Sequence, residues 1–169
     1  LCDYYWRICF LDPFQGSVMA NFAAEKGCKK AYVLTMLGED YGNGLGYYFT
    51  DAFQKLGGEV VSETFPEGTS DFSAYLNNAV NAGCDVVFAP SATTYASLII
   101  DQAAAQNVSF PLMAGDTWEN SVILDAAKGK NVDVYVSTFF AEDESNAAAV
   151  EFVSGFKAWL NENSDKLTN

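Results

Sequence analysis

The sequence predicts an α/β fold: a doubly wound, mostly parallel sheet of about five to six strands flanked by helices. Short apolar runs, such as KAYVLTM at 30–36, alternate along the chain with longer stretches in which apolar residues recur at helical spacing. The runs are almost continuously apolar, which is typical of parallel strands buried on both faces. Because parallel strands are joined by right-handed crossovers, this alternation indicates helices on both faces of one sheet.

Helix start and stop signals divide the first half of the chain. Asp12-Pro13 supplies an N-cap and a first-turn proline, and Gly27 ends that helix. The pair Gly57-Gly58 ends a second helix, whose apolar residues fall on one face. The expected elements are, in order, a strand at 4–10 (YYWRICF), a helix near 13–26, a strand at 30–36, a helix at about 44–56 and a strand at 59–65.

The second half continues the same alternation. Asp71 is expected to cap the helix FSAYLNNAVNAG, and the DESN stretch leads into a last amphipathic helix. After the capped helix, the expected elements are a strand at 85–90, a helix at 93–106, a strand at 111–115, a helix at 119–127, a strand at 132–139 and a helix at about 146–162. The chain opens directly on a strand-like segment, so we expect an excised fragment.

Composition excludes several classes of function. The 169 residues are half apolar, and 22 acidic against 9 basic side chains give a net charge of −13. A chain this acidic is a poor partner for nucleic acid or for anionic membranes. It contains no histidine, so the usual general base is missing and its four cysteines show no zinc-site spacing.

Three loops are candidates for a binding site. In a doubly wound sheet, ligands bind beyond the carboxyl ends of the strands, where the strand order reverses. That rule selects the loops at 37–44, 90–94 and 115–118. Together they offer an aromatic ring, hydroxyl groups and a carboxylate, a combination typical of a cleft for a small ligand. None of them pairs a nucleophile with a base, so the sequence predicts a binding protein that is not an enzyme and has no cofactor.

The first loop lies in TMLGEDYGNGLGYYF and is rich in glycine. Its glycines are spaced GxGxG rather than GxGxxG, and it carries Glu39 and Asp40 with no basic residue. A bound phosphate would meet like charge there, so a phosphate-binding role is rejected. The glycines are expected to shape a tight turn that presents Tyr41. Its ring and hydroxyl suit either a ligand contact or a half-buried place in the loop.

The second and third loops supply small, hydroxyl and acidic side chains. PSATT offers backbone N–H groups and the hydroxyl of Ser91 or Thr93 to a polar ligand. The alternative is an ordinary helix cap, which is favoured for Ser91 taken alone. In GDTWEN, Asp116 suits an ammonium group, with Trp118 as an apolar wall. The alternative is that Asp116 caps the helix that follows.

Three longer stretches carry a family resemblance: WRICFLDPFQGSVMANFA, EDYGNGLGYYFTDAFQKLGGEVVSETFPEGTSDFSAYL and DVVFAPSATTYASLIIDQAAAQNVSFPLMAGDTW. They look like the extracytoplasmic solute-binding proteins of branched-chain amino acid ABC transporters, which have the type I periplasmic-binding-protein fold. The similarity covers nearly the whole chain. It implies that residues 1–169 are mainly the second lobe of a two-lobe clamshell. The C-terminal helix within 140–169 would belong to the absent first lobe.

The resemblance also implies roles for single positions. Tyr41 matches the family's aromatic residue facing the ligand, and Asp116 matches the acidic residue that pairs with the ligand's α-ammonium group. Ala92 and Thr93 fall on the second ligand loop, where the family has an aromatic or a small residue; here the aromatic is lacking. The implied ligand is a small branched-chain-like amino acid and the implied partner is a transporter permease. The implied location is extracytoplasmic, in the periplasm or lipid-anchored at the cell surface.

Other functions require features that this sequence lacks or leaves open. A response-regulator receiver needs an acidic cluster after its first strand and a lysine after its last, and a nucleotide-dependent enzyme needs the phosphate loop rejected above. A receptor's sensor ectodomain keeps the same fold and stays an alternative. The last helix has a broad apolar face without its first lobe. We expect that face to fold back on its own sheet or to dock on a second copy, and we favour the homodimer.

Overall fold

The computed structural model describes Tyr4, Trp6, Arg7 and residues 9–164. The chain divides into two compact units, the first ending at Thr138 and the second beginning at Phe139. The first unit contains the sheet with its helices, and the second contains one helix.

Strands and helices alternate through the first unit. Its helices are α1 (Asp12–Glu25), α2 (Asp40–Lys55), α3 (Ser73–Asn81), α4 (Thr93–Ala105) and α5 (Ser121–Ala127). Its strands are β1 (Lys30–Met36), β2 (Glu59–Phe65), β3 (Val86–Phe88), β4 (Leu112–Ala114) and β5 (Val134–Val136), and a short 3-10 helix covers Asp116–Trp118. Helix α6 (Ala147–Glu162) belongs to the second unit.

The strands of the first unit form one parallel sheet in the order β2-β1-β3-β4-β5. The chain adds β2 on one side of β1 and then continues with β3 on the other side, so the strand order reverses between β1 and β3. Helices α1 and α2 pack on one face of the sheet, and α3, α4 and α5 pack on the other. The predicted doubly wound α/β sheet is therefore confirmed.

Burial follows the position of each strand in the sheet. All residues of β3 and β4 are buried, as are the five central residues of β1, whereas the edge strands β2 and β5 are partly exposed. Under α2, the Phe49 ring is stacked on Phe88 with 4.2 Å between ring centroids, and on Phe53 with 5.5 Å. These stacked rings hold α2 against the middle of the sheet.

Helix α2 begins about one turn earlier than predicted, at Asp40. The cause is Glu39, whose carboxylate accepts hydrogen bonds from the N–H of Tyr41 at 3.2 Å and from the N–H of Gly42 at 2.5 Å. A side-chain cap of this kind satisfies free N–H groups of the first helical turn. The predicted glycine turn is therefore mostly helix, and within 37–44 the only positive φ is that of Gly38, at 78°.

Three other expectations about elements need correction or restriction. Within YYWRICF, Tyr5 and Ile8 lie outside the described residues, and the other members belong to no strand. Asp12 is not the N-cap of α1: it lies inside the helix, whose N-cap is Leu11. Only the middle of the strand predicted at 132–139 pairs with β4, because its hydrogen-bonded partner is itself three residues long.

No helix among the described residues is both long enough and apolar enough to cross a lipid bilayer.

The second unit consists mainly of α6. The helix begins after Asn146, whose side-chain oxygen accepts hydrogen bonds from the N–H groups of the two alanines that follow the first helical residue, as the DESN signal predicts. The rings of Phe152, Phe156 and Trp159 stack in a row, with 5.9 Å and 6.2 Å between successive centroids. Each of the three is about half exposed, at 59%, 48% and 46%. We call this row the aromatic strip of α6.

Candidate functional site

The three loops selected from the sequence meet at the carboxyl end of the sheet. The Tyr41 hydroxyl in the first loop donates a hydrogen bond to Oδ1 of Asp116 in the third, over 2.8 Å. The Trp118 indole N–H in the third loop donates to the Ser91 carbonyl oxygen in the second, over 3.0 Å. Gly42, at the start of α2, lies against the carbonyl group of Pro90. The loops thus form one surface beside the point where the strand order reverses.

Asp116 is the centre of a hydrogen-bond network. Its Oδ1 accepts from the Tyr41 hydroxyl and also from Nε2 of Gln15, at 2.5 Å. Burial, and then the hydrogen bond to Asp116, raises the pKa of the Tyr41 phenol, so this hydroxyl stays protonated and donates at neutral pH. Asp116 is partly exposed and makes no ion pair with any described residue. Its carboxylate therefore remains available to a cationic group.

Asp116 does not cap the helix that follows it, which was the alternative role. Helix α5 is capped by Asn120, whose side-chain oxygen accepts a hydrogen bond from the N–H of Val122 at 2.9 Å. Asp116 instead opens the short 3-10 helix directly after β4. Its carboxylate therefore does not cap α5 and instead accepts the hydrogen bond from the Tyr41 hydroxyl.

Gln15 is the site residue that the sequence analysis missed. It lies in the first turns of α1, is 1% exposed, and donates through Nε2 to both Asp116 and Ser137, the latter at 2.7 Å. Its Oε1 is buried and has no hydrogen-bond partner among the described residues. A sequence signal exists: Gln15 shares a helix face with Met19 and Ala23, which are buried, so it is a polar residue at a core position.

Ala92 and Thr93 lie at the start of α4, as predicted for the second loop. Ala92 is exposed and is the N-cap residue of the helix, and Thr93 is its first residue and is partly exposed. Ser91 is not a helix cap, which corrects that interpretation. It is 2% exposed, and its hydroxyl has no partner among the described residues.

Trp118 lies in the core rather than on the open surface. Its side chain is 1% exposed and packs with the buried residues under α4, and its N–H is used by the Ser91 carbonyl. A ligand on this lobe therefore has very little of the ring to contact. Through its hydrogen bond to the Ser91 carbonyl oxygen, Trp118 links the third loop to the second.

The N-terminus of α2 is already occupied by a carboxylate. The Glu39 carboxylate accepts hydrogen bonds from the first-turn N–H groups of Tyr41 and Gly42. In a phosphate-binding loop, such N–H groups would donate to the phosphate instead. Further along α2, Gly46 brings the helix close to β1: a Cβ there would lie 2.9 Å from Cγ2 of Thr35 and 3.2 Å from Cγ1 of Val33. Gly46 therefore serves close packing between helix and strand, and Gly42 serves close packing between helix and the Pro90 loop.

We expect Gly42→Ala to disturb the contact between the first two loops. An added Cβ would lie 2.5 Å from the Pro90 carbonyl oxygen and 2.6 Å from Oε2 of Glu39. Because the first neighbour is backbone, helix or loop must move, and overpacking of this kind costs about 1–3 kcal/mol. Urea unfolding measures the change in the free energy of unfolding.

Gly44→Ala is the matched control on the same helix. Nothing lies within 4 Å of a Cβ added there, so this variant is expected to gain roughly 0.5–1 kcal/mol from the higher helix propensity of alanine. A Gly42→Ala protein as stable as Gly44→Ala would contradict the close contact with Pro90.

A separate groove of about 530 Å³ lies between α2 and the edge strand β2. Its wall includes Thr35 and Asn43, but these two side chains bond to each other at 2.8 Å, and Asn43 also donates to the Met36 carbonyl at 3.1 Å. None of the predicted site residues lines it. The candidate site is therefore the loop surface around Asp116.

Comparison with known proteins gives one family. The sequence profile described as "Periplasmic binding protein" matches residues 3–166. Leu/Ile/Val-binding protein homolog 2 of Brucella abortus (strain 2308) is 28% identical over 153 residues, and homolog 1 of Brucella melitensis is 29% identical over 155 residues. Each alignment covers 90% of this chain and 41% of the relative.

Solved structures give the same picture. The leucine-binding protein LivK from Thermotoga maritima superposes with a TM-score of 0.81 and 31% identity, over 92% of this chain and 45% of that one. The substrate-binding protein LivJ of a branched-chain amino acid transporter from Streptococcus pneumoniae, solved with isoleucine, gives a TM-score of 0.74 and 29% identity, over 90% and 44%. This chain therefore spans less than half the length of these relatives.

Proposed function

The chain belongs to the periplasmic binding protein family, and from that membership we propose that it is one lobe of the extracytoplasmic solute-binding component of an ABC transporter. The complete protein binds a small, branched-chain-like amino acid in the cleft between two lobes. Tyr41, Ala92, Thr93 and Asp116 face the ligand from this lobe, and Trp118 supports the second loop from behind.

The observation that carries this proposal is the state of the Asp116 carboxylate. Its Oδ1 is held by Gln15 and Tyr41, both neutral donors, and no described lysine or arginine pairs with it. A partly buried carboxylate that is oriented but not neutralised is suited to a ligand ammonium group, because a charged hydrogen bond is stronger than a neutral one. The exposed start of α4 beside it leaves room for the rest of the ligand.

The open surface around Asp116 fits one wall of a cleft. Two-lobe binding proteins close on their ligand by a hinge motion, and we propose that the closed form is what a membrane permease recognises. The location is then outside the cytoplasmic membrane, in the periplasm or at the cell surface through a lipid anchor. The protein binds and releases its ligand without chemical change.

We assign α6 to the other lobe. The unit boundary falls between Thr138 and Phe139, and α6 lies beyond it with the aromatic strip about half exposed. The relatives are more than twice as long as this chain, so most of a second lobe remains to cover that strip in the complete protein. In the isolated chain, the strip is covered either by the chain's own sheet or by a second copy. We favour the second copy, and light scattering reports such a dimer directly.

Calorimetric titration of the complete protein tests the proposed function. Leucine, isoleucine and valine are the ligands, and isocaproate, which is leucine without its amino group, is the control. We expect at least one amino acid to bind and isocaproate to bind at least tenfold more weakly, because a charged hydrogen bond is worth about 1.5–3 kcal/mol. Mass spectrometry of the recovered ligand is expected to return it unchanged.

Three results would contradict the proposal. The first is that none of the three amino acids binds. The second is that isocaproate binds as tightly as leucine, which would remove the ammonium contact. The third is a chemically altered ligand, which would make the protein an enzyme.

A further inference from the structure

Gln15 connects two side chains that come from the carboxyl ends of neighbouring strands. Its Nε2 donates one hydrogen bond to Oδ1 of Asp116, directly after β4, and another to Oγ of Ser137, directly after β5. Both N–H bonds of the amide are therefore used. Gln15 is 1% exposed, so the surrounding core restricts its side chain. We call its amide with these two hydrogen bonds the Gln15 bracket.

The bracket acts on one oxygen of Asp116 only. Oδ1 receives the Gln15 N–H and the Tyr41 O–H, and Oδ2 has no hydrogen-bond partner among the described residues. Two donors on one oxygen fix the rotation of the carboxyl group. Among the described residues, Oδ2 is therefore the oxygen that keeps its hydrogen-bonding capacity for another donor.

Gly115 allows this crowded arrangement. A Cβ at position 115 would lie 3.1 Å from Nε2 of Gln15 and even closer to the Tyr41 hydroxyl. A side chain there would push both donors away from Asp116. The glycine is therefore part of the same construction.

We propose that Gln15 is a positioning residue of the amino-acid site, which orients Asp116 for the ligand ammonium group without touching the ligand itself. This inference rests on the proposed function. An amide is suited to the task because it donates hydrogen bonds and carries no charge. A lysine or arginine at the same place would hold Asp116 equally well, but it would neutralise the carboxylate and compete with the ligand cation.

A double-mutant cycle on the complete protein tests the inference. The variants are Gln15→Met, Asp116→Asn and the two together, each titrated with leucine and with isocaproate. If Gln15 acts through Asp116, Gln15→Met weakens leucine binding at least fivefold in the wild-type background and less than twofold in the Asp116→Asn background. Such cycles isolate coupling between residues of one network. Isocaproate binding is expected to change less than twofold in either background.

Gln102→Met is the matched control. Gln102 is a partly buried glutamine that lies away from the site. Its Oε1 accepts a hydrogen bond from the N–H of Phe72 at 2.6 Å, and its Nε2 donates to the Ser70 carbonyl oxygen at 2.8 Å. It is expected to lower stability and to leave the ratio of leucine to isocaproate affinity unchanged. If Gln15→Met fails to fold, Ser137→Ala, which removes the other anchor of Gln15, takes its place in the cycle with a loss of at least twofold expected.

The possible outcomes are distinct. Equal losses in the two backgrounds, or no loss in either, would overturn the positioning role and leave the proposed function intact. A wild-type protein that binds no amino acid would overturn the proposed function, and this inference with it.

Discussion

Asp116→Asn is expected to weaken leucine binding by the complete protein at least tenfold, with the fold unchanged. The asparagine keeps the size of the side chain and its place between Gln15 and Tyr41, but it removes the negative charge that we propose faces the ligand ammonium group. A hydrogen bond between charged groups is worth about 1.5–3 kcal/mol, which corresponds to roughly 10- to 150-fold in affinity. Calorimetry measures the affinity, and circular dichroism verifies the fold.

Asp125→Asn is the control for net charge. Asp125 is exposed on α5 and belongs to the same unit, so its replacement removes the same charge at a distance from the three loops. Its effect on leucine binding is expected to stay within a factor of about two, because exposed charges are well screened by salt. Equal effects of the two substitutions would remove Asp116 from the site.

Phe49→Ala is expected to lower the free energy of unfolding of the first unit by about 3–5 kcal/mol, the range typical of a buried phenylalanine. The Phe49 ring is fully buried and stacks on Phe88 and Phe53 between α2 and the sheet. Its removal leaves a cavity under the helix that carries Tyr41. Urea unfolding followed by circular dichroism measures the loss.

The exposed aromatic residue on the same helix serves as the comparison. Tyr47 is 67% exposed, so Tyr47→Ala is expected to change the stability by no more than roughly 0.5 kcal/mol. A Phe49→Ala protein that unfolds at the same urea concentration as Tyr47→Ala would show that α2 does not depend on this stack.

The architecture was predictable from sequence because its signals are local. The central strands are continuous apolar runs, and their burial on both faces follows directly from that composition. In doubly wound sheets, ligands bind at the carboxyl ends of the strands, and this rule predicted that Tyr41 and Asp116 lie at the same edge of the sheet. In the structure, the Tyr41 hydroxyl lies 2.8 Å from Oδ1 of Asp116. What local signals missed is the start of α2, since the capping role of Glu39 competes with the glycines that follow it.

The details of the site were less accessible because they depend on contacts between distant parts of the chain. Helical spacing marks Gln15 as a polar residue on the buried face of α1, but its partner Asp116 is identified only when α1 is packed on the sheet. Trp118 is predicted from its place after a strand end to form an apolar wall for the ligand, and the short 3-10 helix turns its ring into the core. Periodicity gives neither the partner of Gln15 nor the direction of the Trp118 ring.

The hydrogen-bond network around Asp116 can form only when the first unit is completely folded. In sequence, Asp116 is 101 residues from Gln15 and 75 residues from Tyr41. Closing such long loops costs conformational entropy that only the finished sheet offsets, so a partly folded chain has no functioning site. A ligand that binds only the folded form adds about 2.7 kcal/mol to its stability at one hundred times the dissociation constant. If the chain binds a solute as proposed, the bound solute therefore also protects the protein from unfolding and from proteases.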